Sequence, residues 1–317
     1  MSNADSRKVV LAALAGNVAI AVCKVAAAAL SGSTATLAEA VHSLADSGNQ
    51  ALLLVGMRLA KRPPDARFPF GRASERYFWP FVVALLLFSA GGAFAIFEGL
   101  DHLLYPRMET HARGWSYAVL GVSLAFEAMS FRVALGEFRT MAAGKSIRAA
   151  LFEARDPTIP LVLAEDTTAM AGLTVALLAV AASGWTGRDF WDPLGSVVIG
   201  VMLCGVALVL AWITHGLLIG ESATAEDQAR VLKLAEGVDG VDGVTQLLTM
   251  HLGPDVVVLA MKIAFRASLR VEEVEAVTNR IEAAIRVDLP RMRKIFIEAD
   301  SRGDLRGVGE REPRQAL

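Results

Sequence analysis

The segment Thr34–Leu59, TATLAEAVHSLADSGNQALLLVGMRL, is apolar enough to cross a bilayer, yet it carries Glu39, His42 and Asp46 within it. A charged side chain at the centre of a membrane helix costs about 2.5–3.5 kcal/mol on insertion scales. Such groups therefore normally face a protein interior or a water-filled cavity, where they have a function. The segment predicts a membrane helix that takes part in an ion site.

His42 and Asp46 are four residues apart, which places them one turn apart on one face of a helix. A neutral imidazole and a carboxylate suit Zn(II) or a neighbouring first-row divalent metal, whereas Mg(II) prefers oxygen ligands and retained waters. The alternative is a hydrogen bond between the two side chains that fixes helix packing. Within an apolar span a purely structural pair rarely offsets its insertion cost, so the metal interpretation is preferred.

The whole chain has the composition of a membrane protein. Of its 317 residues 54% are hydrophobic, the net charge is only -2 and the mean hydropathy is +0.45, which is unlike a soluble domain of this size. Runs long enough to cross about 30 Å of hydrocarbon occur near residues 8–30, 34–58, 78–100, 114–136, 159–183 and 192–216. A cleaved signal peptide is the alternative for the first run, but that run is too long and is interrupted by Asn17 and Lys24. We predict an all-α transmembrane domain of six helices, residues 1–220.

Basic residues are concentrated in two of the predicted loops. Between spans two and three lie Arg58, Lys61, Arg62, Arg67, Arg72 and Arg76, and between spans four and five lie Arg139, Lys145, Arg148 and Arg155. By the positive-inside rule these loops face the cytoplasm, and with six spans both termini are then cytoplasmic. We expect a multi-pass protein surrounded by membrane lipid. No transit peptide is evident, so a bacterial inner membrane is the expected location.

After Glu221 the density of charged residues rises, and the pattern becomes that of a small folded domain over residues 221–300. The predicted elements are a helix capped by Thr224 that ends near Glu236, a turn at GVDGVDG, strands Val244–Leu252 and Val256–Arg266, a helix Val271–Ile285 and a strand Lys294–Glu298. This order, α-β-β-α-β, predicts a cytoplasmic α/β domain of ferredoxin-like type. Residues 301–317 are rich in Arg, Gly, Glu and Pro and are predicted to be a disordered tail.

A metal held within a membrane needs ligands from more than one helix, and the fifth predicted span supplies Glu165 and Asp166 in LVLAEDTTAMAGLTVALL. Adjacent residues on a helix point about 100° apart, so only one of the two is expected to face His42 and Asp46 directly. The alternative is a helix that begins after Asp166 and leaves both carboxylates in water, but it would also expose the apolar run 159–163. The weaker candidates, polar residues in other spans, are Glu98, Glu127 and Asn17.

Three stretches carry a resemblance to a known family. They are SGSTATLAEAVHSLADSGNQ at 31–50, FPFGRASERYFW at 68–79 and FWDPLGSVVIG at 190–200. Together with six spans and a cytoplasmic α/β domain, they resemble the cation diffusion facilitators, which are proton-coupled exporters of divalent metals. The resemblance covers nearly the whole chain to about Asp300.

The resemblance implies a central site in which an H/D-x-x-x-D on span two faces another on span five, so that four ligands surround a tetrahedral ion. His42, Asp46 and Asp166 match this pattern, whereas Val162 stands where a fourth ligand is usual. In this respect the chain resembles the branch that includes a mitochondrial zinc transporter, in which a Glu-Asp pair occupies the same region.

The identity of the fourth ligand determines whether the ligand set favours hard or soft metal ions. Glu165 is the preferred fourth ligand, and Asn17 or a water molecule are the alternatives. A shell of one imidazole and three carboxylates is harder than a shell with two of each. Zn(II) remains the first expectation, and Co(II), Fe(II) and Mn(II) become possible.

The resemblance further implies export of the metal in exchange for protons, by a homodimer joined through the cytoplasmic domain. His42 can exchange metal for a proton because the reference pKa of histidine, about 6.5, lies within the physiological range. The cytoplasmic domain carries His251, Glu298 and Asp300, which we do not expect to bind a regulatory metal. In the loop after span two, Phe68 and Arg72 stand where some relatives place histidines, although Asp65 could match an acidic partner there, and we expect no metal in that loop.

Functions of other classes have less support. The protein could be a membrane metal sensor or scaffold that no longer moves ions, because Val162 weakens the site. An intramembrane metalloenzyme is not expected, since there is no H-E-x-x-H. Binding to nucleic acid would need a net basic surface, which the chain lacks. We therefore expect no enzyme activity and no cofactor other than the transported cation.

Overall fold

The structure is a computed structural model, and it describes residues 3–31, 34–105, 113–142, 156–188 and 190–300. It divides into two compact units, Met1–Leu218 and Ile219–Leu317. The predicted tail 301–317 lies outside the described residues.

The first unit is helical throughout its described length. Its elements are α1 (Asn3–Ser31), α2 (Thr34–Leu59), α3 (Glu75–Leu86), a π-helical segment (Leu87–Ala93), α4 (Phe94–Leu104), α5 (Arg113–Ala142), α6 (Thr158–Thr186) and α7 (Trp191–Ile219). The six predicted spans correspond to α1, α2, the continuous segment from α3 to α4, α5, α6 and α7. The predicted class of this unit is confirmed.

Three helices of the described part are long and apolar enough to cross a membrane: Glu75–Leu104, Thr158–Thr186 and Trp191–Ile219, with mean hydropathies of 2.2, 1.6 and 2.6. Large apolar side chains such as Phe97 and Trp212 are about 70% exposed on the protein alone. An outward-facing apolar surface of this kind suits contact with lipid. The helix ends follow local chemistry: α6 stops where Gly187, at φ 64°, adopts the left-handed conformation that closes a helix.

The apolar core of this unit lies next to a group of buried polar residues. The core includes Ala13, Leu53, Ala134, Phe138, Ile159, Leu161 and Val162, contributed by α1, α2, α5 and α6. One helical turn from these positions, the same helices bury Asn17, Gln50, Ser130, Glu165 and Asp166. The close packing of the core therefore fixes the helices that carry the polar residues.

The π-helical segment lies at a close approach of two helices, and the sequence did not predict it. A Cβ atom added to Gly200 on α7 would lie 2.7 Å from the carbonyl oxygen of Gly92 and 2.8 Å from the amide nitrogen of Ile96. Glycine therefore allows the two backbones to touch, as small residues do in membrane helix pairs. A π-helical turn widens the backbone locally and shifts the face that it presents, which explains its position at this contact.

A buried ion pair joins two elements at one end of the bundle. The guanidinium of Arg76, in the first turn of α3, donates to the carboxylate of Asp156, which precedes α6. The two side chains are only 4% and 15% exposed. Because the pair is shielded from water, each charge depends on the other.

The second unit contains α8 (Ala225–Glu236), β1 (Val241–Gly253), β2 (Val256–Phe265), α9 (Val271–Asp288) and β3 (Met292–Asp300). The predicted order α-β-β-α-β is confirmed, and the Thr224 hydroxyl caps α8 by accepting the Asp227 amide at 3.2 Å. The sheet has the order β1-β2-β3, with β2 antiparallel to β1 and parallel to β3. Parallel pairing of β2 and β3 requires a crossover, which α9 supplies.

The first strand begins three residues earlier than expected. The predicted turn at GVDGVDG is confined to residues 237–240, because the chain already pairs with β2 at Val241, opposite Phe265. Gly240 makes the reversal possible with a φ of 103°. One face of the sheet packs against both helices through Leu259, Ile263 and their neighbours.

We expect Gly200→Ala to destabilise the first unit by about 1–3 kcal/mol, because the new methyl group would meet backbone atoms that cannot move aside cheaply. Gly205→Ala, on the same helix, is the matched control, since an added Cβ there meets no atom within 4 Å among the described residues. Thermal unfolding in detergent measures both. An equal melting temperature for the two variants would contradict the close helix contact.

We expect Arg76→Met to destabilise the protein by about 3–5 kcal/mol, because it removes the guanidinium that donates to the shielded carboxylate of Asp156. The control is Arg230→Met, which removes an exposed ion pair with Asp288 at 3.2 Å and should cost at most about 1 kcal/mol. Thermal unfolding again measures the difference. If both substitutions cost the same, the pair at Arg76 is not shielded.

Candidate metal centre

Two buried carboxylates on α6 lie within electrostatic range of an acidic side chain on α2. Asp46 on α2 interacts electrostatically with both Glu165 and Asp166 on α6. Glu165 is 7% exposed and Asp166 is 2% exposed. The alternative in which α6 begins after Asp166 is wrong, because the helix begins at Thr158 and both carboxylates are buried.

Glu165 is held by two amides from α2. Asn49 donates from Nδ2 to one carboxylate oxygen at 3.0 Å, and Gln50 donates from Nε2 to the other at 2.9 Å. The carboxylate loses its hydration when it is buried, and these two hydrogen bonds compensate for part of that loss. Glu165 is thus the member of the adjacent pair that is hydrogen-bonded to the second span.

Asp166 turns towards a different helix. Its carboxylate accepts a hydrogen bond of 2.8 Å from the hydroxyl of Ser130 on α5. Adjacent residues diverge by about 100° around a helix, which explains why Glu165 contacts α2 while Asp166 contacts α5. Both residues still sense the charge of Asp46.

His42 belongs to α2, but its side chain lies outside the described residues. Within the part of the chain that the structure describes, no three His, Cys, Asp or Glu side chains converge closely enough to hold a metal ion. Asp46, Glu165 and Asp166 are therefore brought into one electrostatic cluster without forming a finished coordination shell. His42 stays a predicted ligand.

The other residues considered for the site fall into two groups. Val162 is fully buried in the apolar core, where its side chain has no ligand atom to offer. Asn17 and Glu127 are also buried, at 6% and 8% exposure, on α1 and α5. Glu98 is exposed on α4. Asn17 thus stays an alternative to Glu165 as a ligand, whereas the exposed Glu98 is not part of the buried polar group.

In the loop after α2, the acidic residue Asp65 forms a salt bridge with an arginine. Asp65 accepts a hydrogen bond of 3.0 Å from the Arg72 guanidinium, and it also accepts hydrogen bonds from the backbone amides of Arg67 and Phe68. The hydrogen bond from Arg72 is the main cause that lowers the pKa of the exposed Asp65 carboxyl. The same guanidinium lies 4.1 Å from the ring centre of Phe68. The loop thus uses a salt bridge where a metal would need several ligands.

In the second unit, His251 is buried at 4% exposure near the end of β1. Its Nδ1 lies 3.4 Å from the carbonyl oxygen of Gly253. Glu298 makes an ion pair of 3.5 Å with Lys262, and Asp300 accepts a hydrogen bond of 2.8 Å from the Thr245 hydroxyl. The three residues therefore have local partners.

The amides and the serine around the carboxylates were not recognised as site residues from the sequence. Asn49 and Gln50 are polar residues in an apolar span, three and four positions after Asp46. This spacing places them on the turn next to Asp46, and it was a signal that could have been used. Ser130 carries a weaker signal, because a single serine is common in membrane helices.

Family models match both units of the chain. Residues 10–219 match the cation efflux transmembrane domain, and residues 223–302 match the cytoplasmic domain of cation efflux proteins. Among solved structures, MamM CTD in its manganese form is 27% identical over 24% of this chain and 96% of that chain, with a TM-score of 0.23. The nickel form is 25% identical over 25% of this chain and 99% of that chain, with a TM-score of 0.24.

Curated relatives match over most of the chain. Metal tolerance protein C4 of Arabidopsis thaliana is 32% identical over 81% of this chain and 54% of its own length. The mitochondrial proton-coupled zinc antiporter SLC30A9 of Xenopus laevis is 30% identical over 74% of this chain and 43% of its own length, and that of Homo sapiens is 30% identical over 65% and 36%. The chain spans about half the length of these relatives, or less. The predicted family is confirmed: this chain, a multi-pass membrane protein, belongs to the cation efflux family, also called the cation diffusion facilitators.

Proposed function

We propose that this chain exports a divalent cation in exchange for protons, through a site made of His42, Asp46, Glu165 and Asp166. The observation that carries the proposal is the electrostatic cluster of Asp46 with the two buried carboxylates of α6. The zinc antiporters among the relatives support Zn(II) as the first cargo and protons as the counter-ion.

The charge of the cluster explains why metal and protons would compete. Three carboxylates in a low-dielectric environment repel one another and need compensating positive charge. A bound divalent cation can supply that positive charge, and protons bound to the same carboxylates can supply it instead. Binding of one would release the other, which is the exchange that an antiporter requires.

The nature of the ligands leaves more than one cargo open. One imidazole with carboxylate oxygens accepts Zn(II), and the oxygen-rich shell also accepts Co(II), Fe(II) and Mn(II). The amide hydrogen bonds keep Glu165 in place as the fourth ligand. A membrane sensor or scaffold with the same site would bind the metal but move neither metal nor protons.

We expect Asp46→Asn and Asp166→Asn to lower Zn(II) uptake into proteoliposomes by at least about tenfold, because each removes a charged ligand. Zinc-driven proton release, followed with a pH-sensitive dye, should fall in parallel. Glu98→Gln is the matched control, since it neutralises an exposed membrane carboxylate outside the cluster.

Wild-type uptake by both site variants would show that the cluster is not the transport site. Zinc binding by the wild-type protein without uptake or proton flux would favour the sensor or scaffold. Uptake of zinc without any proton flux would contradict the proposed exchange with protons, while the proposed transport of zinc would stand.

The orientation in the membrane is proposed from the loops. Arg58 lies in the last turn of α2, and Lys61 and Arg62 come just after it. Arg139 likewise lies in the last turn of α5 and begins the second basic segment of the sequence. We propose that these loops and both termini face the cytoplasm, in a bacterial inner membrane. The N-terminal end of α6 then lies on the side from which the cation enters.

We also propose that the chain is a homodimer through its second unit. The sheet face opposite the two helices carries Leu248, Ala260 and Phe296 in register across the three strands. Leu248 and Phe296 are 58% and 52% exposed, and they border a groove of about 250 Å³. An exposed apolar sheet face flanked by the Lys262–Glu298 pair is suited to contact with a second copy.

We expect Phe296→Asp to weaken the dimer by at least about 2 kcal/mol, roughly 30-fold in Kd, because it replaces the largest apolar side chain of this face with a charge. Val287→Asp is the control, since Val287 is an apolar residue that is 85% exposed on α9 and not on this sheet face. Sedimentation of the full chain in detergent measures both. If Val287→Asp dissociates the dimer and Phe296→Asp does not, the sheet face is not the interface.

A further inference from the structure

Gln50 is a fully buried side chain whose two polar atoms have different surroundings. Its Nε2 donates to Glu165 at 2.9 Å. The nitrogen of the amide donates to Glu165, so Oε1, the other branch of the amide, is not engaged by this carboxylate. Among the groups that the structure describes, Oε1 has no hydrogen-bond partner.

A buried carbonyl oxygen of this kind requires a positively polarised partner. Gln50 lies four residues after Asp46, so His42, Asp46 and Gln50 occupy successive turns on one face of α2. Gln50 is therefore placed on the same side of the helix as the two proposed ligands of α2. Its neighbour Glu165 interacts electrostatically with Asp46, which ties the amide to the cluster.

We propose that the amide oxygen of Gln50 is a direct ligand of the transported cation and helps to set which metal is accepted. The inference rests on the function proposed above and adds a neutral oxygen to the ligand set. Amide oxygens are common ligands of hard divalent cations and poor ligands of soft ones. Gln50 should therefore raise the affinity for Mn(II) much more than the affinity for Cd(II).

Asn49 provides a matched control within the same turn. It is 7% exposed and donates one hydrogen bond to Glu165 at 3.0 Å, as Gln50 does. Gln50→Leu and Asn49→Leu each remove one donor from Glu165. Each variant also removes one amide oxygen, but only the oxygen of Gln50 is buried without a hydrogen-bond partner among the described groups. The difference between the variants therefore reports on that oxygen.

The experiment is titration of the full chain, in detergent, with Mn(II) and separately with Cd(II). Relative to Asn49→Leu, Gln50→Leu should lose a further tenfold or so in Mn(II) affinity, with no further loss for Cd(II). Equal losses in both variants for both metals would mean that Gln50 acts only through Glu165, and would overturn the inference. Gln50→Glu, which keeps an oxygen at this position, should bind Mn(II) better than Gln50→Leu, and failure to do so would also overturn it.

Direct ligation is distinguished from contact through a bound water by the Mn(II) electron paramagnetic resonance line width in ¹⁷O-enriched water. Loss of a direct ligand should let one more water bind in Gln50→Leu than in Asn49→Leu. An equal or smaller number would show that Gln50 contacts only water. Asp46→Asn separates the two proposals: if it leaves Mn(II) and Cd(II) binding unchanged, the proposed site itself fails, whatever Gln50 does.

Discussion

The buried carboxylate of Glu165 is the constraint on which the helical unit depends. A charged group in this position loses its hydration, and the two amides of Asn49 and Gln50 replace part of it. The residues that make these bonds are 116 and 115 positions apart in the chain. A contact of this range can form only when this part of α2 comes within side-chain reach of α6, so the polar interaction and the apolar core specify the same arrangement.

The sequence was sufficient for the architecture because its signals are local. Spans of apolar residues, the His42–Asp46 spacing and the Glu165–Asp166 pair can each be read within one helix. Thr224 likewise identifies the start of α8 from its own short segment. These features depend on periodicity, insertion cost and capping, which do not need knowledge of the neighbours.

The features that escaped prediction all depend on a distant partner. The π-helical turn at Leu87–Ala93 exists where Gly92 meets Gly200, and neither glycine reveals this contact alone. The spacing of Asn49 from Asp46 places it near the site, but its hydrogen bond to Glu165 depends on a residue 116 positions away. Similarly, the GVDGVDG segment has the composition of a turn, and pairing of Val241 with Phe265 converts its end into a strand.

The neighbouring positions of Glu165 and Asp166 give α6 a mechanical role. One residue is tied to α2 through two amides, and the next is tied to α5 through Ser130. A rotation of α6 about its own axis would have to lengthen or break bonds to both neighbours at once. The two adjacent carboxylates therefore restrain the same motion of the helix.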